Sequence, residues 1–242
     1  MAAFESSLLL KDGEPASGHS IHGLIMMRTM LAIAACLATA SPALSQSTVP
    51  RESRVLSPFE QGIVEEHNLV RTNPLAYAAH LREFRGFFDG NLIRIPGSAT
   101  AILTREGVSA VDEAIDFLTA AEPAPALEES EGMSRGATDH VEDQGPSGDT
   151  GHDGSDGSTP GERMDRHGSW NMIFAENLAY GPQTARDVVM GLIIDDGVPD
   201  RGHRRNIFDP RLLVIGVACG PHEIYRSMCV IDYAGEFTEA LP

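Results

Sequence analysis

Hydrophobic positions in the first half of the chain recur with the spacing of amphipathic helices. A helix is predicted to begin at Pro58, because Ser57 can cap its N-terminus and proline is favoured at the first helical position. Its apolar stripe consists of Phe59, Ile63, His67 and Val70. The same periodicity predicts further helices over 74–85, 105–121 and 128–144. The Gly-containing segment between the second and third helices, 86–101, is predicted to be a loop.

The second half of the chain alternates between apolar and polar positions in short runs, which is typical of strands. One strand is predicted over 173–180, and a hairpin is predicted from two runs at 212–220 and 226–233. Short helices are predicted over 161–167 and 184–195, and the segment 197–210 is predicted to be an irregular loop. Helices followed by a small antiparallel sheet indicate an α+β domain.

The N-terminal segment has the layout of an export leader. Arg28 precedes a short apolar run, and Ala43 and Ser45 have the small-residue spacing of a cleavage site. The run is shorter than the roughly 20 residues that a membrane-spanning helix needs. Cys36 and the three residues before it also fit a lipid-attachment box, which is the minor alternative. We therefore predict a leader over 1–45 with a signal peptide at about 27–45, a tether over 46–56 and a single domain over 57–238.

The net charge of the chain restricts its possible partners. The chain has 18 Lys and Arg against 35 Asp and Glu, a formal net charge of −17. Such a surface repels nucleic acid, whose phosphates require cationic partners. It suits a protein outside the cytoplasm. We expect a secreted or periplasmic protein with no transmembrane segment in the mature chain.

Two cysteines remain beyond the leader, Cys219 and Cys229, one on each strand of the predicted hairpin. Both are equidistant from Ile224, so symmetric pairing about that residue would place them opposite each other at a separation that a disulfide can bridge. An exported protein meets an oxidising compartment. Two buried free thiols are the alternative.

Six short motifs follow one another along the chain: HNLVR at 67–71, GH at 151–152, DGSTPGER at 156–163, AENLA at 175–179, GHRRNI at 202–207 and VIGVA at 214–218. In this order they resemble the CAP superfamily of cysteine-rich secretory proteins, antigen 5 and pathogenesis-related proteins, in its bacterial SCP-like branch. The resemblance covers about residues 57–235. It implies an α-β-α sandwich, with a small antiparallel sheet between helical layers.

The resemblance also implies a cleft with two histidines and two acids that can hold a divalent metal. His152 and His203 match the two histidines, and Glu176 matches the first acid. The second acid differs, because the Trp-Tyr pair that precedes it in eukaryotic members is missing; Asp195 or Asp196 takes its place. Two imidazoles with carboxylates suit zinc or a similar metal. A metal-bound water with Glu176 as the base would give a hydrolase.

The same residues also have interpretations that need no metal. His152 can hydrogen-bond the Gly-rich turn, and His203 can cap the end of the preceding helix. Glu176 lies on a strand that should be buried, so its carboxylate needs partners, and Arg163 or His203 could serve. His67 lies on an apolar helical stripe and is interpreted as a core residue with satisfied hydrogen bonds.

Neither mature cysteine has the surroundings of a reactive thiolate. Glu176 is the one candidate for a catalytic residue. We therefore expect a monomeric binding module for a lipid, envelope or other small ligand. A metal-dependent hydrolase acting on the envelope or on secreted polymers is the alternative.

Overall fold

The computed structural model describes residues 3–10, 53–97 and 99–241, with side chains from residue 53 onward. These residues belong to one compact unit, and the second unit, 12–52, lies outside the described residues. The predicted signal peptide, its lipid-attachment alternative and most of the tether therefore stay predictions. Within the described ranges, no helix combines the length and apolarity that crossing a bilayer requires.

Most predicted helices are present with small changes at their ends. They are α1 (Pro58–Thr72), α2 (Pro74–Arg85), α3 (Val108–Ala120), α4 (Glu131–Ser147), α5 (Pro160–Asp165), α6 (Ala185–Ile194) and α7 (Gly202–Phe208). Ser57 caps α1 through a capping box with Glu60, as the Ser-Pro start predicts. The irregular loop predicted over 197–210 is wrong in part, because α7 lies within it.

The strands form two sheets. They are β1 (Ala3–Leu10), β2 (Phe88–Asp89), β3 (Leu92–Ile93), β4 (Ile102–Leu103), β5 (Glu128–Glu129), β6 (Gly168–Tyr180), β7 (Val214–His222) and β8 (Arg226–Glu239). The main sheet has the order β1-β6-β8-β7-β5, and β2-β3-β4 form the second. The predicted loop 86–101 thus contains β2 and β3, and residues predicted to open α4 form β5 instead.

The main sheet is antiparallel except at one edge, where β5 pairs parallel with β7. Strand β1 pairs antiparallel with β6 over eight residues, from Ala3 opposite Tyr180 to Leu10 opposite Ile173. The sequence pattern did not predict β1, because residues 1–26 show only weak periodicity. Strand β6 carries a register shift between Asn171 and Phe174, and then pairs with β8 to its end.

Alternation along β6 divides the core into two layers. Ile173, Ala175 and Ala179 face a cluster formed with α1, α2, α3 and α6. Phe174, Leu178 and Tyr180 face the other way, toward clusters that contain Ala137 of α4 and Met164 of α5. Helices therefore cover both faces of a small sheet, and the predicted α-β-α sandwich is confirmed.

The hairpin of β7 and β8 has the symmetric register that the cysteine spacing suggests. Cys219 lies opposite Cys229, and their sulfurs form a disulfide with a Cα–Cα distance of 4.1 Å. Cys229 is buried in the helical layer of α1 and α6. The disulfide therefore joins β7 to β8 near the turn that connects them.

Candidate functional site

A buried ion pair with a histidine at its side lies on the α4 and α5 face of the sheet. Glu176 of β6 is fully buried, and its two carboxylate oxygens have different partners. The Nδ1 of His152 donates to Oε1 at 2.7 Å. The Nη2 of Arg163 donates to Oε2 at 2.7 Å. Arg163 is itself buried, so the pair is shielded from water and the charges compensate each other.

The main chain around Gly151 positions His152. The carbonyl of Gly151 accepts from His140 Nε2 at 2.9 Å and from Gln144 Nε2 at 2.8 Å. The N–H of Gly151 donates to the hydroxyl of Tyr180. Gly151 has a φ of 115°, which favours glycine because a Cβ would be strained there. Two side chains of α4 and one of β6 therefore fix the loop that carries His152.

Helix α5 brings Arg163 beneath β6. Thr159 caps this helix through a capping box, and Pro160 opens its first turn. Gly136 of α4 lets α5 approach closely, because a Cβ at that position would come within 3.1 Å of the main chain of Met164. The Nη1 of Arg163 donates to the carbonyls of His152 and Ser158, both at 2.9 Å. The guanidinium thus joins the loop, α5 and the carboxylate of β6.

Burial alone would raise the pKa of Glu176, but the hydrogen bond from His152 and the charge of Arg163 hold it below its ordinary value of 4.5. The carboxylate is therefore ionised at neutral pH. Burial is also the main cause that lowers the pKa of His140. That imidazole is neutral, and since its Nε2–H donates to Gly151, its Nδ1 is an acceptor.

A second carboxyl group, Asp232 of β8, lies opposite Glu176 in the sheet register. It is fully buried, and its neighbour among the described side chains is the Glu176 carboxylate, with which a protonated Asp232 shares a hydrogen bond. Burial, with the neighbouring Glu176 carboxylate, raises the pKa of Asp232 well above its ordinary value of 3.8. An ionised and a protonated carboxyl group therefore stand side by side, each in the form that its surroundings favour.

Asp232 gives a testable dependence of stability on pH. Because its pKa is higher in the folded chain than in the unfolded chain, its contribution to the free energy of unfolding is present below pH 3.8 and is lost as pH rises toward its raised pKa. The variant Asp232→Asn cannot ionise, so at neutral pH it should be more stable than the wild type by about 1–3 kcal/mol.

Urea unfolding of both proteins between pH 4 and pH 8 measures this effect. The difference between variant and wild type should grow with rising pH, because only the wild type must bury a group that tends to ionise. The opposite pH dependence of Glu176 is present in both proteins and cancels in the comparison. A constant difference across this pH range would contradict the assignment.

Three groups around Glu176 have buried polar atoms without a hydrogen-bond partner in the described part of the chain: His140 Nδ1, His152 Nε2 and Arg163 Nε. Arg163 also borders a cavity of about 130 Å³. Its other lining residues are Asp139, Asp143, Ser155, Asp156, Ser158 and Arg166. Arg163 is therefore the one group of this set that lines the cavity, and through Glu176 it connects the cavity to His152.

The second pair of the predicted site is His203 with Asp195. The Nδ1 of His203 donates to Asp195 Oδ1 at 2.6 Å, and its main-chain N–H donates to Oδ2 at 3.0 Å. Asp195 ends α6 in the left-handed conformation, with a φ of 59°. Both residues are fully buried. One carboxylate therefore links the end of α6 to the first turn of α7.

Asp196, the other candidate for the second acid, lies elsewhere. Its oxygens accept from the main-chain N–H groups of Arg105 and Glu106, both at 2.7 Å. These residues precede α3. Of the two adjacent aspartates, Asp195 contacts a site histidine, while Asp196 fastens the loop before α3.

The main chain of His203 contacts the residue that follows Glu176 on β6. Successive side chains of a strand point to opposite faces, and Asn177, the residue after Glu176, donates to the carbonyl of His203 at 3.2 Å. The main chain at His203 therefore lies on the face of β6 opposite to the Glu176 carboxylate. The structure brings His152 to Glu176 and His203 to Asp195, as two separate pairs.

A polar network beneath α7 uses several motif residues. Asn177 also contacts the hydroxyl of Tyr233 at 3.2 Å and accepts from Asn206 Nδ2 at 2.8 Å. His67 contacts the same hydroxyl through Nε2 at 2.7 Å and the carbonyl of Ile63 through Nδ1. Burial lowers the pKa of His67 to about 4, so it is neutral. The interpretation of His67 as a satisfied core residue agrees with these contacts.

The geometry at Glu176 does not fit a divalent metal. Both carboxylate oxygens are already bound, and the guanidinium of Arg163 places a positive charge where a cation would sit. Among the described residues, no group of three or more His, Cys, Asp and Glu side chains is arranged to hold a metal ion. Arg163 is buried, so its positive charge stays beside the carboxylate.

Sequence reasoning named Arg163 only as one possible partner of Glu176, and it missed Asp232. The alternation of β8 could have drawn attention to Asp232. Its carboxyl group occupies an inward position between Val230 and Ala234, which are both fully buried. A charged residue at a core position needs an explanation. Its position opposite Glu176, however, depends on a register that only the structure gives.

Comparison with known proteins follows the geometry. A family model described as the cysteine-rich secretory protein family, CAP, matches residues 64–233. An outer surface protein from Borrelia burgdorferi is 19% identical, over 45% of this chain and 76% of that one, with a TM-score of 0.38. An extracellular protein containing an SCP domain from Bacillus anthracis str. Ames is 17% identical, over 52% of this chain and 37% of that one, also with a TM-score of 0.38.

The chain thus spans well under half of the Bacillus protein. At these TM-scores, neither structure informs the ligand or the activity of this chain. No curated protein is significantly similar to it. The family match covers most of the described residues and contains every residue of both histidine–acid pairs.

Proposed function

The chain belongs to the cysteine-rich secretory protein family, CAP, and from this premise we propose that it is a binding protein for a small polar ligand rather than an enzyme. The ligand would lie in the cavity that Arg163 borders. The observation that carries the proposal is the buried, unpartnered Nε of Arg163 at this cavity, with the unpartnered Nε2 of His152 on the other side of Glu176. Each such atom costs about 1–3 kcal/mol when left without a partner, so a matching ligand gains that energy on binding.

The chemistry of the cavity favours hydroxyl and amide groups over an acyl chain. Its lining consists of aspartates, serines and arginines, with no aliphatic side chain. A lipid tail needs an apolar surface to leave water. A soluble envelope glycan presents both donors and acceptors, and it is the ligand class that we propose.

The state of Glu176 is the argument against a hydrolase. A general base needs access to water and a pKa near the working pH, whereas Glu176 is fully buried and its pKa is held below its ordinary value. The proposal therefore assigns these residues to binding and to stability.

We propose that the protein works outside the cytoplasm, secreted or in the periplasm. The disulfide between Cys219 and Cys229 supports this, because such bonds persist in oxidising compartments. The predicted leader supports the same location. A monomer is the expected form.

The test is calorimetric titration of the protein with oligosaccharides of N-acetylated amino sugars, with phospholipid vesicles in parallel. The oligosaccharide should bind, and binding should be unaffected by EDTA. The variant His152→Ala removes the Nε2 acceptor and should weaken binding about tenfold, since a lost hydrogen bond is worth about 1–1.5 kcal/mol. The variant His80→Ala, on α2 in the other helical layer, should bind like the wild type.

Two outcomes would contradict the proposal. Binding of vesicles without binding of the oligosaccharide would transfer the function to lipids. Turnover of an ester or peptide library that disappears in Glu176→Gln would establish the metal-dependent hydrolase, or a metal-free one if EDTA leaves the turnover unchanged.

A further inference from the structure

We propose that a groove where β5, β7 and β8 meet binds a small aliphatic amine, through an apolar floor and two carboxylates at its rim. The floor contains Leu213, Val214 and Phe237, and the rim carries Glu128 and Glu236. The groove shares no lining residue with the cavity of the polar ligand proposed above, so the inference does not depend on that ligand.

The groove exists because β8 extends beyond the start of β7. Strand β7 begins at Val214, opposite Ala234, whereas β8 continues past this point along β6. Leu213 is still held between the neighbouring strands, since its N–H donates to the carbonyl of Ala234 and its carbonyl accepts from the N–H of Glu128, both at 2.8 Å. The chain before it turns away at 209–212. Among the described strands, none then fills the position between β5 and the end of β8.

The floor of the groove is apolar and held in place. Leu213 is 40% exposed, and Val214 and Phe237 are half-buried. Val214 and Phe237 pack on one side against a core cluster from α4, α5, β6 and β8. Phe237 also lies tightly against Gly168, where a Cβ would come within 2.3 Å of the ring. The volume is about 340 Å³, within the roughly 300–1,000 Å³ of small-molecule sites. A short apolar stem can therefore leave water on a preformed surface.

The carboxylates at the rim have no cationic partner within the described part of the chain. Glu128 of β5 and Glu236 of β8 are both exposed, and neither takes part in an ion pair there. Glu236 accepts one hydrogen bond, from the Nδ2 of Asn171 at 3.3 Å. Arg211, close to the floor in sequence, pairs with Asp209 at 2.6 Å instead. A cation from solution can therefore approach both carboxylates.

Charge and apolarity together select the occupant. Exposed carboxylates alone attract cations only weakly, so the apolar floor is what distinguishes a cation on a stem from a simple ion. A second copy of the chain, with its net charge of −17, would bring the same two carboxylates to the groove. A fatty acid would likewise place a negative charge beside them. A primary aliphatic amine is protonated at neutral pH, like the side chain of lysine, and its stem matches the floor.

The experiment titrates the protein with hexylamine at neutral pH and follows its amide NMR signals. Signals of residues 213–214 and 235–237 should shift to saturation, whereas hexanoate, which has a similar stem and the opposite charge, should leave them unchanged. The variant Glu128→Gln/Glu236→Gln keeps the shape of the rim and should weaken hexylamine binding about tenfold, because both ion pairs are lost. Leu213→Ser reduces the apolar floor and should weaken binding about threefold or more.

The matched control is Glu65→Gln/Glu83→Gln, which removes the same charge from exposed positions on α1 and α2 and should bind like the wild type. Equal weakening in this control would overturn the proposal, because the net charge alone would then attract the amine. Equal binding of hexanoate, shifts confined to other parts of the chain, or no saturation would overturn it too. The oligosaccharide should bind Glu128→Gln/Glu236→Gln as it binds the wild type, so the two proposals fail separately.

Discussion

Replacement of Arg163 by Met is expected to destabilise the domain by about 3–5 kcal/mol, the usual cost of removing one partner of a buried ion pair. Besides His152, Arg163 is the only described residue that forms a salt bridge with the Glu176 carboxylate. Without it, a fully buried carboxylate keeps one hydrogen bond and loses its compensating charge. The carbonyls of His152 and Ser158 lose their donor as well.

The variant should also reverse the effect of Glu176 on the pH dependence of stability. In the wild type the pKa of Glu176 is below its ordinary value, so its stabilisation is present above pH 4.5 and is lost as pH falls through the lowered pKa. In Arg163→Met, burial is no longer opposed by the guanidinium, and the pKa should rise. The loss of stability should then be greatest at neutral pH and smaller in mild acid.

Urea unfolding of wild type and variant at neutral and mildly acidic pH gives the measurement. The control is Arg166→Met, three residues along, whose guanidinium is 43% exposed and pairs with Asp139 and Asp156 at the surface. Exposed pairs contribute about 0–1 kcal/mol. Equal decreases in the free energy of unfolding in the two variants would show that the buried Arg163–Glu176 pair contributes no more to stability than an exposed pair.

Much of the fold follows from local patterns in the sequence. The start of α1 is predicted from Ser57 and Pro58, and Ser57 caps the helix as predicted, with Glu60 completing a capping box. The symmetric spacing of Cys219 and Cys229 about their turn is likewise local information. Such features need no knowledge of distant parts of the chain, and they are the ones that agree best with the structure.

Features that depend on distant contacts were not predictable in the same way. The two-residue β5 exists because Glu128 and Glu129 meet Val214 and Ile215 in parallel. Helix α7 has no side-chain cap of its own and depends on Asp195, seven residues before its start, for its first N–H groups. Propensity is a weak guide where tertiary contacts supply the hydrogen bonds.

The site shows the same division. The motifs identify His152, Glu176, His203 and Asp195 as polar residues at the ends of elements, and the structure hydrogen-bonds them in pairs. Whether the pairs converge depends on which face each side chain occupies. The single-residue step from Glu176 to Asn177 decides this, because Asn177 contacts His203 from the other side of β6.

Replacement of Arg71 by Met is expected to cost about 3 kcal/mol or more, since several buried carbonyls lose their donor at about 1–3 kcal/mol each. Arg71, in the last turn of α1, is fully buried. Its guanidinium donates to the carbonyls of Pro125 at 2.7 Å and Leu212 at 2.8 Å, and to those of Ile207 and Asp209 at the end of α7. Among the described residues, no carboxylate accepts from it, so its role is to satisfy main-chain groups of three separate segments.

Because two of those carbonyls end α7, the loss should be partly local. Chemical denaturation should show the reduced free energy of unfolding, and hydrogen exchange should be accelerated in residues 202–208 before global unfolding. Arg71→Lys should be intermediate, since an ammonium has three donors and lacks the planar geometry of the guanidinium. Arg82→Met, on the exposed side of α2, is the control and should change stability by no more than about 0.5 kcal/mol. If Arg71→Met unfolds like this control, other donors must replace the guanidinium, and the four carbonyls do not depend on it.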